Sequence, residues 1–121
     1  MTAVVHVRKN NFTLYIGRKY AEFEESKWHN PKSHLAEGYD RHRSLWEYYY
    51  KHLLNHPDLL AAIEAGELTD RILGCWCKGL DGHGSDCHGD ILAALANKAP
   101  LPDYIQDWEG FRKKYYPEVL V

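Results

Sequence analysis

A chain of 121 residues, 45% hydrophobic and 26% charged, is long enough to enclose one core and too short for two, and its composition excludes global disorder. A formal net charge of -2 excludes a general electrostatic drive toward nucleic acid or an anionic membrane, leaving only local basic patches open. Nine Tyr and four Trp predict an aromatic-rich core, with some rings lining a groove.

In chain order, Val4 to Arg8 and Thr13 to Arg18 read as two short strands joined by the turn-forming Lys9-Asn10-Asn11, a hairpin or an adjacent pair. From Lys19 to His42 apolar periodicity disappears, and Asn30-Pro31 and Gly38 mark a long loop. Ser44-Leu45-Trp46-Glu47 has capping-box spacing. It predicts a helix start, with Leu45, Tyr48, Tyr49, His52 and Leu53 forming its stripe as far as Pro57. A second helix follows from Pro57 through Leu59, Leu60 and Ile63 to Gly66.

Arg71 to Cys77 is too short and apolar for a lone helix and reads as a buried strand. The glycine-containing run from Lys78 to Asp86 is a loop, and Ser85 or Asp86 is expected to cap a helix carrying Ile91, Leu92 and Leu95 up to Asn97. Pro100 and Pro102 then break the chain. Tyr104, Trp108, Phe111 and Tyr115 form a helical aromatic stripe weakened by Gly110, read as core or a dimer face. The fold class is α/β, with three or four strands packed by helices over residues 1–98 and a helical extension over 99–121.

No charged segment leads into a long apolar run at the N-terminus, and no stretch is long enough to span a bilayer, so a cytoplasmic chain with no membrane partner is expected. Three cysteines are an odd number. Thiols or metal ligands are therefore expected in place of a disulfide framework.

All three fall between Cys75 and Cys87. A strand ending in Cys75-Trp76-Cys77 and a helix opening with Cys87-His88-Gly89-Asp90 place donors beyond a strand end, where α/β proteins build sites. Cys75, Cys77 and Cys87 with His83 or His88 form a donor set that suits zinc, although the spacing is not that of a standard finger and three thiolates with an imidazole also suit iron. Without metal, Cys87, His88 and Asp90 supply a nucleophile, a base and an orienting carboxylate. Cys87 is then the expected reactive thiol, because helix amides and dipole favour its anion, while Cys75 and Cys77 lie in a buried strand. A purely structural reading also stands: two cysteines as small buried hydrophobes and His88 packed at a helix start.

The combined pattern of Val4-Val5-His6-Val7-Arg8-Lys9, Tyr15-Ile16-Gly17-Arg18, Ser26 to Pro31, Leu73 to Cys77 and Cys87 to Leu92 resembles a bacterial and phage family called domain of unknown function 4326. The resemblance spans roughly residues 4 to 97. Where that family usually has Gly-Asn-Pro this chain has His29-Asn30-Pro31, and its loop between Cys77 and Cys87 is longer. The resemblance implies a shared site without naming a reaction, and ties it to nucleotide or nucleic-acid metabolism by association only.

Two function classes follow. One is an enzyme acting on a nucleotide, nucleoside or base, with Cys87, His88 and Asp90 catalytic and Asn30, Trp28, Arg18 and Gly89 contacting substrate. The other is a non-catalytic zinc-stabilised module that binds nucleic acid or protein. Secondary candidates are a phosphate grip from Arg8, Lys9, Arg18 and Lys19, and a basic cluster of His34, Arg41, His42 and Arg43 beside Tyr39.

Overall fold

Three short strands, β1 (Ala3–His6), β2 (Leu14–Tyr15) and β3 (Ile72–Cys75), form a parallel sheet in the order β1-β3-β2. The computed structural model describes residues 1–8, 11–31, 38–76 and 86–120, with side chains as far as 118. Val4 and Leu14 both register on Leu73, so the two N-terminal strands flank the later one and do not pair with each other. This corrects the expected hairpin. The Phe12 ring packs on β3 at Gly74, 2.6 Å from the place a Cβ would take. A bare backbone at that point makes room for the ring.

The first helix, α1 (Gly38–Glu47), starts six residues before the expected cap. Gly38 takes φ +57, and Ser44 lies inside the helix, its Oγ accepting from Asn30 Nδ2 at 3.2 Å. Glu47 accepts from Arg43 at 3.2 Å, one turn back, so the capping-box pair is spent on other partners. The helix then widens into a π turn over Tyr48–His52 and tightens into a 3-10 turn over Leu53–Asn55. The Leu53 amide donates to the Tyr48 carbonyl, and these two residues, five apart, are both fully buried.

Helix α2 (Pro57–Glu64) opens on its proline, and Gly66, at φ +86, follows its end. Helix α3 (His88–Asn97) packs on the sheet through Gly89, where a Cβ would meet Ile16 Cδ1 and Val4 Cγ1 at 2.8 Å. Gly89→Ala is therefore expected to cost about 1–3 kcal/mol by overpacking, measured as a lower urea midpoint. An unchanged midpoint would mean that α3 can lift from the sheet without loss.

The aromatic tail is two helices, not one: α4 (Asp103–Gln106) and α5 (Trp108–Tyr115), followed by a 3-10 turn over Pro117–Leu120. Asp107 breaks the run by capping α5, its carboxylate accepting from the Gly110 amide at 3.0 Å. Tyr104 and Ile105 enter the same core as Ile16, Leu73, Tyr48 and Leu92. Among the described residues, no helix is long and apolar enough to cross a membrane.

Candidate functional site

Cys75 is the last residue of the central strand, and Cys87 is the residue just before α3. Their side chains meet, the sulfur atoms lying 2.6 Å apart. Cys87 caps α3: Sγ accepts from the Gly89 amide at 3.3 Å, and Asp90 Oδ2 accepts from the Cys87 amide at 2.9 Å. The expected cap at Ser85 or Asp86 is thus displaced onto the thiol. The Gly89 amide and the helix dipole at this end favour a thiolate.

His88 faces the same point. Its Nε2 donates to the Ile16 carbonyl at 2.8 Å, which assigns the ring proton to Nε2 and turns the Nδ1 lone pair toward Cys87 Sγ, 3.7 Å away. Adjacent Cys and His side chains converge because Cys87 is extended, at φ -140 and ψ 152, while His88 is already helical. The donor atoms of Cys75, Cys87 and His88 all lie within 4.8 Å of one another, and the three residues are 1%, 0% and 4% exposed. Cys77 and His83, the other expected ligands, fall outside the described residues.

The surroundings are aromatic and buried. The Tyr48 ring meets His88 edge-on at 5.1 Å, and its hydroxyl donates to the Trp28 carbonyl at 2.7 Å. Burial raises the Tyr48 pKa well above the ordinary range, with any charge on Cys87 and Cys75 adding to the effect. Tyr104 has a buried hydroxyl with no hydrogen-bond partner among the described residues, and its pKa is raised by burial first, then by Asp86, Asp90 and Cys87.

Other predicted site residues hold the framework. Trp28 is 1% exposed and packs in the core, so it offers no open stacking face. Asn30 ties the loop to α1 through Ser44, and Arg18 Nη2 donates to the Pro31 carbonyl at 2.5 Å. Asp90 serves the cap, and Gly89 the packing of helix on sheet. Arg8 pairs with Glu22, while Lys9 and His34 lie outside the described residues.

Residues 4–98 match the family described as Domain of unknown function (DUF4326). The chain belongs to that family. No curated protein and no solved structure matches it. The DUF4326 match takes in Cys75, Cys87 and His88 and stops at Lys98, the left-handed residue that ends α3. Helices α4 and α5 lie beyond the DUF4326 boundary, although Tyr104 and Ile105 are core.

One grouping in this DUF4326 chain was not legible in its sequence. His42 Nε2 donates to Asp86 Oδ2 at 2.8 Å, and the Tyr116 hydroxyl donates to His42 Nδ1 at 2.7 Å. Arg41 adds a bond to the Asp86 carbonyl at 2.9 Å. The residue before Cys87 is thereby anchored to α1 and to the C-terminal segment. Sequence distance hid this, because His42 and Asp86 are 44 positions apart and Tyr116 is 74 from His42.

His52 stacks against the Tyr48 ring at 5.4 Å. The His52 pKa is lowered, first by burial and then by the neighbouring His56, His29 and His88 rings, with Asp58 opposing. The folded chain therefore takes this proton less readily than the unfolded one, and stability falls as pH drops through about 6.5, the unfolded value. His52→Gln is expected to narrow the gap between urea midpoints at about pH 8 and about pH 5.5. A gap as wide as the parent's would place the titration elsewhere.

Proposed function

We propose that this chain is a zinc-stabilised α/β binding module in which Cys75, Cys87 and His88 hold the ion. The observation that carries this reading is the convergence of two sulfurs and an oriented imidazole nitrogen at a buried point. Two ligands at about 2.3 and 2.05 Å from a tetrahedral zinc lie about 3.6 Å apart, close to the 3.7 Å between Cys87 Sγ and His88 Nδ1. The Ile16 carbonyl supplies the outer partner that fixes the tautomer of a metal-bound histidine. Cys77 or His83 is the candidate fourth ligand. Burial of the donors favours a structural over a catalytic ion, and the module's activity is then binding, to nucleic acid or to protein.

Zinc content of freshly purified full-length protein tests this directly. About one equivalent per chain is expected, with a melting temperature that falls when a strong chelator is added. Protein without zinc whose melting ignores the chelator would defeat the reading, and iron in place of zinc would correct the ion.

A second reading is favoured by one observation: the cluster lies at the carboxyl end of a central parallel strand and at a helix N-terminus. There Cys87 acts as nucleophile and His88 Nδ1 as its base, on a nucleotide, nucleoside or base, with Asp90 orienting the cap and Asn30 and Arg18 holding the adjoining loop. Rapid alkylation of Cys87 in metal-free, fully folded protein would support it over the zinc module.

A further inference from the structure

We infer that Cys75 and Cys87 form a peroxide-oxidisable dithiol whose disulfide and metal-bound states exclude each other. Their sulfurs lie 2.6 Å apart. That separation falls between two defined chemical states. A disulfide holds its sulfurs at about 2.05 Å, whereas two thiolates on a tetrahedral zinc, each about 2.3 Å from the ion, stand about 3.8 Å apart. Small movements in opposite directions reach the two states. A sulfur engaged in a disulfide is a poor metal donor, so closing the bond removes two of the three ligands at once. The proposal rests on the zinc reading for metal release alone; the dithiol chemistry requires only the sulfur pair.

The two sulfurs are not equivalent. Cys87 accepts from the Gly89 amide at a helix N-terminus and has His88 Nδ1 at 3.7 Å, so it is the attacking thiolate, with the imidazole taking its proton. Cys75, in contact with it, is the resolving thiol. Cys87 sulfur attacks one oxygen of hydrogen peroxide. The O–O bond breaks, a sulfenic acid forms, and the departing hydroxide takes the proton from His88 to become water. Cys75 sulfur then attacks the Cys87 sulfur and expels hydroxide, which takes the Cys75 proton as a second water. Two thiols and one peroxide give one disulfide and two waters, with two electrons passing from sulfur to oxygen. Because both sulfurs are buried, the reaction waits on local opening at the start of α3.

The test uses full-length protein treated with hydrogen peroxide, then alkylated, digested without reductant and mapped by mass spectrometry, while a chromogenic chelator reports zinc. Reactive thiols are expected to fall from three per chain to one, with a linked peptide pair containing Cys75 and Cys87. Zinc leaves in step with the crosslink, and dithiothreitol restores both thiols and metal binding. Cys77→Ser should give the same crosslink. A bond through Cys77, or Cys87 ending as sulfinic acid with Cys75 still reduced, would overturn the dithiol. Protein that holds zinc and yields no crosslink would likewise overturn it while leaving the zinc reading intact. A Cys75–Cys87 crosslink in protein that never binds zinc would support the dithiol and defeat the zinc reading.

Discussion

A chain ending at Lys98 is expected to lose cooperative folding, even though it retains the whole family-matched region. Tyr104 and Ile105 are 3% and 1% exposed and belong to the one core that also holds Leu73 and Leu92. Emptying sites of this kind costs about 2–5 kcal/mol for an isoleucine and about 3–5 kcal/mol for a large aromatic. Their sum approaches the whole stability of a small domain, about 5–15 kcal/mol. Further contacts go with them: Tyr50 Oη donates to the Ile105 carbonyl at 3.1 Å, and the Trp108 ring stacks on Trp46 at 6.1 Å. The Tyr116 bond to His42 also disappears, loosening Asp86 beside Cys87. Urea unfolding followed by circular dichroism checks the effect, and Ile105→Ala, at about 2–5 kcal/mol, provides a milder version that still folds. A truncated chain with the parent's midpoint would mean that the extension merely adheres.

The α/β class was legible in the sequence, and the meeting of Cys75 with Cys87 was easier to read than the strand order beneath it. Side-chain alternation and the helix start brought Cys75 toward Cys87, because both cues are local: a β-branched or apolar run, then a helix signal. Pairing of β1 and β2 was not local. A short polar connection such as Lys9-Asn10-Asn11 is the ordinary mark of a hairpin, whereas the partner that both strands take, β3, lies far along the chain. The start of α1 was missed because its first turns carry Tyr39, Arg41, His42 and Arg43, which show no apolar period before Leu45. The π turn was invisible for a related reason: Leu45, Tyr48, Tyr49, His52 and Leu53 read as one regular helical stripe, and nothing in that spacing announces the residue added in the turn between Tyr48 and Leu53.

The residues expected to contact substrate have partners within the fold that the sequence did not announce. Trp28 has a polar ring edge, but it is its backbone carbonyl that is used, as the acceptor for buried Tyr48. Arg18 bonds within the loop region that carries it, and Asn30 ties that region to α1. Through Tyr48, that loop still touches the site: Trp28 holds the hydroxyl of the ring that packs on His88. A change in the loop can therefore reach the imidazole by moving one aromatic ring, without any loop side chain entering the cluster.

Cys87→Ser and Cys87→Ala are expected to differ in a way that separates capping from ligation. Serine is among the strongest helix N-caps, so if the Cys87 sulfur did nothing but accept from Gly89, the serine variant would match or exceed the parent. Alanine loses the cap and would fall about 0.5–2 kcal/mol below it. If the sulfur also holds zinc, the hydroxyl is a poor replacement for a thiolate, and both variants fall together. Structural zinc in small finger peptides contributes about 10–16 kcal/mol of apparent binding energy. A domain of about 5–15 kcal/mol total stability has little reserve against losing a ligand from such a site. Both variants should then melt far below the parent, retain no zinc after desalting, and show no further drop when chelator is added. Melting temperatures of parent and both variants, each with and without chelator, check the prediction. A serine variant as stable as the parent and still loaded with zinc would remove Cys87 from the ligand set and leave it as the cap of α3.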